Sequence, residues 1–132
     1  MYTPKDINAF IFWVKRRHPK IRPHMEDDLE WWNEGLDLIR SGRFGLAGNK
    51  FQKLMLSQPN HPDGYEGLAY VCVKTARIGE ARILMDHAVT LTASLVAAGE
   101  SDREMLDMRK EFQERLHNHM EGSKEEIKLR WC

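Results

Sequence analysis

The chain has 132 residues, and its 20 basic and 20 acidic side chains cancel in formal charge. That length suits a single domain with a modest core, and the charge balance excludes a global field drawing the protein to nucleic acid or to an anionic membrane. Its apolar runs, such as Ala9 to Val14, fall far short of the roughly 20 residues of a membrane-spanning helix.

In chain order, Thr3 reads as a cap, with Pro4 at the first helical position and Asp6 three residues beyond the cap. The pattern then runs through Ile7, Phe10, Ile11 and Val14 until His18-Pro19 stops it. The acidic residue ahead of the first apolar stretch fits a secretory signal poorly, so the expected compartment is the cytoplasm. Two prolines hold residues 19–23 out of a regular helix, and Lys15, Arg16, Arg17, Lys20 and Arg22 make this region a basic linker. A second helix is predicted over Asp27 to Ser41, its start marked by Glu26, Asp27, Asp28 and Glu30, which the positive end of a helix dipole favours. Gly42 ends it.

A third helix is expected from Arg43 or Phe44 to Ser57, where Gln58-Pro59-Asn60-His61-Pro62 breaks it. A fourth runs over Asp63 to Thr75, and after a turn near Arg77 to Gly79 a fifth runs from Glu80 to Ala98 and ends at Gly99. Ser101 with Glu104 reads as a capping box for a last long helix, with Met105, Met108, Phe112 and Leu116 on one face. Ser123 with Glu126 is a weaker box before Ile127, Leu129 and Trp131. No alternating stretch bounded by hairpin turns argues for strands. The predicted class is all-α.

Shifting the chain against itself by 34 residues pairs Trp31 with Tyr65, Gly35 with Ala69, Leu38 with Cys72, Ala47 with Ala81, Phe51 with Met85 and Leu54 with Ala88. Apart from Leu54 with Ala88, large meets large and small meets small. The small residues are placed where two antiparallel helices come nearest, and a bulkier side chain there would force the backbones apart. The succession Trp31, Gly35, Leu38, Gly42, Ala47, Phe51, Pro59 resembles the signature of the tetratricopeptide repeat. The resemblance covers about residues 28 to 93. The second unit departs from the pattern: Ala76 takes the place of the turn glycine, and Ala93 that of the terminal proline.

The resemblance implies a right-handed superhelical stack of two helix hairpins. The single domain divides into an N-terminal helix and basic linker (1–25), a first repeat (28–61), a second repeat (62–98) and a C-terminal helix and tail (101–132), the outer helices acting as caps. It also implies a protein-protein interaction module that holds a peptide or helix in a concave groove. By spacing, the groove residues are Leu29, Trp32, Leu36, Ile39 and Arg40 of the first unit and Asp63, Glu66, Tyr70, Val73 and Lys74 of the second. The first set is largely apolar and calls for a cover: the chain's own first helix with Phe10, Phe12 and Trp13, the same helix of a second copy as a homodimer, or an external peptide. Trp32 and Leu36 stand where the family's carboxylate-clamping members carry polar side chains, so an apolar ligand face is expected. By analogy alone, small members of this size serve as secretion chaperones.

Chemistry-bearing residues give little support to catalysis. Cys72 sits inside an apolar helix pattern, and it and Cys132 have no disulfide or zinc spacing. His117 and His119 are two apart on a helix and point to different sides. His18, His24 and His61 neighbour prolines and read as loop residues. Neither a metal nor a cofactor is expected. Two alternatives to peptide binding stay open. One is a nucleic acid or other anionic partner on the basic segment 15–22, whose five cations would give a salt-sensitive attraction. The other is a small-molecule or enzyme site between helix layers, which would require a deep pocket with converging polar groups.

Overall fold

A computed structural model describes residues 4–23 and 28–119. These residues form six α-helices and no strand: α1 (Pro4–Arg17), α2 (Asp28–Arg40), α3 (Phe44–Ser57), α4 (Asp63–Lys74), α5 (Ile78–Ala97) and α6 (Arg103–Asn118). No helix among them is long and apolar enough to cross a membrane. The Thr3 cap and the Ser123–Glu126 box lie outside the described residues.

The 34-residue interval of the sequence reappears in the backbone of the hairpin turns. Gly42 has φ 78° and Ala76 has φ 62°. The Gly42 and Arg43 amides donate to the Ile39 and Leu38 carbonyls at 3.0 and 2.8 Å, and those of Ala76 and Arg77 donate to Val73 and Cys72 at 3.3 and 2.8 Å. Both are the paired bonds of a helix end closed by a left-handed residue. Gly79 is not part of the turn but lies within α5, which begins two residues earlier than the sequence suggested.

A left-handed L-residue costs roughly 1–2 kcal/mol, partly offset when the alternative is glycine with its freer unfolded chain. Ala76→Gly is therefore expected to stabilise the protein by about 0.5–1 kcal/mol. Gly42→Ala, where an added Cβ meets nothing within 4 Å, should cost a similar amount. Urea unfolding of both variants checks the pair. A loss of stability in Ala76→Gly would contradict it.

Each helix from α2 to α6 packs on the next, α2 also touches α4, and α1 lies on α3 and α5. Phe51 of α3 is fully buried where α2, α3 and α4 converge. Its ring faces Gly35 of α2 and Gly67 of α4, where an added Cβ would fall 2.5 and 2.2 Å from ring carbons, and it meets the Trp32 ring edge-on with centroids 5.7 Å apart. Ala47, Ala69 and Ala81 have no exposure. Small side chains thus bring the rods together, as expected, but Gly64 and Gly67 join them at the α3–α4 contact.

The start of α6 corrects one expectation. Its cap is Asp102, not Ser101: the Asp102 backbone is extended and its carboxylate accepts from the Met105 amide at 3.0 Å. A carboxylate one residue later satisfies the free amide and meets the positive end of the helix dipole. The buried stripe is correspondingly turned to Leu106, Arg109, Phe112 and Leu116, with Met105 and Met108 at its half-buried margin.

Candidate binding surfaces

The sequence-predicted groove residues do not form one open trough. Leu36 and Ile39 are buried, and Trp32 is half-buried with its ring against Phe51. Arg40 is exposed and donates to Asp37 at 2.9 Å. The side chain of Leu29 lies outside the described residues. In the second unit, Glu66 and Tyr70 are 2% and 1% exposed, while Val73 and Lys74 are half-buried.

The cover over this second half is α6. Arg109, itself 5% exposed, donates from Nε to Glu66 at 2.8 Å, from Nη2 to Asp63 at 2.9 Å and from Nη1 to the Thr92 hydroxyl at 3.3 Å. The Tyr70 hydroxyl donates to the other oxygen of Glu66, and the Tyr70 ring lies 5.4 Å from that of Phe112. Arg109 thus neutralises acids in the place where a ligand was expected. Sequence reasoning missed it, although a cation between Leu106 and Phe112 in the apolar stripe was a visible signal.

On the opposite side, α1 leaves two clefts. The aromatic cleft, with a volume of about 580 Å³, is lined by Phe10 and Trp13 of α1, Phe44, Gly45 and Gly48 of α3, and Leu84 of α5, among others. Glycines lower the α3 wall. Among the described residues three large apolar side chains are exposed: Trp13 at 48%, which lines this cleft, and Phe12 of α1 at 64% and Leu46 of α3 at 53%, which lie on the same two helices outside its lining. The Arg17 guanidinium lies 4.9 Å over the Trp13 ring, an attractive cation–π placement, and donates to Asn49 at 3.2 Å. Cys72 also lines this cleft, but burial pushes its thiol up to about 11, so the nucleophilic thiolate is scarce near neutrality.

The second cleft, about 550 Å³, lies between α1, the linker after it, α3, α4 and α5. His18 of the linker contacts Gln52 at 2.8 Å. His87 of α5 stands edge-on to Tyr65, ring centroids 4.6 Å apart, and burial holds its pKa below the ordinary 6.5. The Tyr65 hydroxyl donates to the Pro59 carbonyl at 3.1 Å, and burial raises its pKa to about 12.

Further polar contacts tie α6 to α5. Asp86 accepts from Gln113 at 2.8 Å and contacts His117 Nε2 at 2.7 Å. Arg82 donates to the Leu116 and His119 carbonyls at 2.8 and 2.6 Å, closing the C-terminal end of α6. His117, at the exposed end of α6, is thus also a partnered side chain. Among the described residues no three histidine, cysteine or acidic side chains gather as metal ligands. Comparison of the chain with protein-family models, with curated proteins and with solved structures finds no match in any of the three.

Proposed function

We propose that this protein is an interaction module that docks another polypeptide, built on a tetratricopeptide-like pair of helix hairpins. Support for the repeat comes from the 34-residue recurrence of the turns at Gly42 and Ala76, down to the donor and acceptor residues, and from the small residues between the rods. The docking surface we assign is the aromatic cleft, not the α2–α4 groove, because Arg109 and Phe112 already occupy the second half of that groove.

The observation that carries the assignment is Trp13, a large apolar side chain left 48% exposed, lining with Phe10 of α1 a cleft whose α3 wall is lowered by Gly45 and Gly48 and closed by Phe44. Clustered aromatic and apolar anchors next to a pocket are where binding energy concentrates. An apolar helix or extended segment fits such a surface. Its partner is either a different chain or a second copy docking through α1.

Light scattering over a range of concentrations separates these two: a molar mass that doubles for the native chain and stays single for Phe12→Glu identifies self-association. For a foreign partner, Trp13→Asp with Phe44→Asp, both in the lining of the cleft, should weaken binding by about 2 kcal/mol or more while circular dichroism stays helical. A Trp32→Ala variant should bind normally. Binding that survives the first change and fails in the second would overturn the assignment.

A further inference from the structure

The second cleft carries a separate conclusion, which does not rest on the polypeptide-docking reading. Its volume of about 550 Å³ falls within the range of about 300–1,000 Å³ typical of small-molecule sites. One part of its lining is apolar: Ile11, Ile21, Met55 and Leu91. Another part is cationic or donating: Lys15 of α1, His18 of the linker and His87 of α5, with Asn8 and Asn60. No aspartate or glutamate is among the described residues that line it. In a chain whose acids and bases are equal in number, a cavity whose described lining holds one lysine, two histidines and no acid suits an anion better than a cation.

We propose that this cavity binds an amphipathic organic anion, a medium-chain carboxylate, with its hydrocarbon body against Ile11, Ile21, Met55 and Leu91 and its carboxylate taken by Lys15 and the histidines. Desolvation of the hydrocarbon supplies non-directional attraction, and charge-assisted hydrogen bonds fix the head. Sequence separation hid the site, because Lys15 and His87 are brought together only by the packing of α1 on α5.

The carboxylate should also recruit protons. His87 faces Tyr65, whose phenol is neutral, and shares the cavity lining with Lys15 and His18. Its burial opposes its own protonation, and an incoming anion reverses that balance. Affinity should therefore rise as pH falls from about 8 to about 6, where the carboxylate ligand itself stays ionised.

The test is calorimetric titration of the full chain with decanoate, decanol and decyltrimethylammonium. Decanoate is expected to bind, decanol at least about tenfold more weakly for want of the charged head, and the ammonium not at all. Lys15→Gln should cost decanoate about tenfold and decanol nothing. Leu91→Trp, which fills the cavity, should abolish decanoate binding, and the His87 ring resonances should report a raised pKa in the complex. Absence of decanoate binding, equal binding of decanol or of the ammonium, or an unchanged affinity in Lys15→Gln would each overturn the proposal. Because Lys15 is exposed, that variant keeps the test decisive should Leu91→Trp misfold.

Discussion

Arg109→Ala is expected to destabilise the protein by about 3–5 kcal/mol, the cost of leaving a buried charge without its partner. The guanidinium spans two carboxylates of α4 and a hydroxyl of α5, and Glu66, nearly sealed from water, would keep Tyr70 as a donor but lose its cation. The loss therefore exceeds that of an exposed ion pair, which is worth about 0–1 kcal/mol, such as Arg77 with Glu80. A double variant, Arg109→Met with Glu66→Met, removes both charges and keeps apolar volume, and should recover most of the stability. Urea unfolding of the two single variants and the double one closes the cycle. An Arg109→Ala cost below about 1 kcal/mol, or a double variant no better than the singles, would mean that the α4–α6 contact is not held by this pair.

The second large effect belongs to two glycines. A Cβ on Gly64 would sit 2.6 Å from the Met55 amide nitrogen and 2.7 Å from its Cα. Backbone cannot rotate away as a side chain can, so Gly64→Ala must push α3 and α4 apart. In Gly67→Ala the obstacle is the Phe51 ring, 2.2 Å away and already confined by Gly35 on another side. Overpacking of this kind costs about 1–3 kcal/mol, occasionally more. That outweighs the gain of up to about 1 kcal/mol that alanine brings to a helix interior. Gly48→Ala is the internal control: its Cβ would meet Val71 at 4.0 Å, an ordinary contact, so it should be neutral or stabilising. Thermal unfolding that ranked Gly48→Ala below Gly64→Ala in stability would contradict the close approach of α3 and α4.

These sites differ in how visible they were. Trp31, Gly35, Ala47 and Phe51 were legible because their spacing repeats, and Gly42 was legible because turn chemistry is local. Gly64 and Gly67 align one interval earlier with Glu30 and Asn33, so no repeat announces them. They respond to a contact between successive hairpins, which differs from the contact within one. The Asp102 cap was one residue from the expected Ser101, since serine and aspartate both cap well and only the path of the backbone selects between them.

The predicted groove shows the same division at larger scale. Spacing correctly put Asp63, Glu66 and Tyr70 on one face of α4, but it could not say what covers that face. Arg109 lies 43 residues beyond Glu66, and nothing local links them. Likewise the apolar side of α1 stated how much surface had to be buried, not that α3 and α5 would receive it.

By itself, then, the amino-acid sequence determined the all-helical class, the places where helices stop and the 34-residue interval of the two hairpins, because capping, proline geometry and hydrophobic period act over a few residues. Only the tertiary structure decided that α6 fills half of the expected groove, that α1 lies on the opposite row, and that Lys15 and His87 face one cavity. An amphipathic helix specifies that a face be buried. Which surface buries it depends on shape and charge complementarity between segments far apart in the chain.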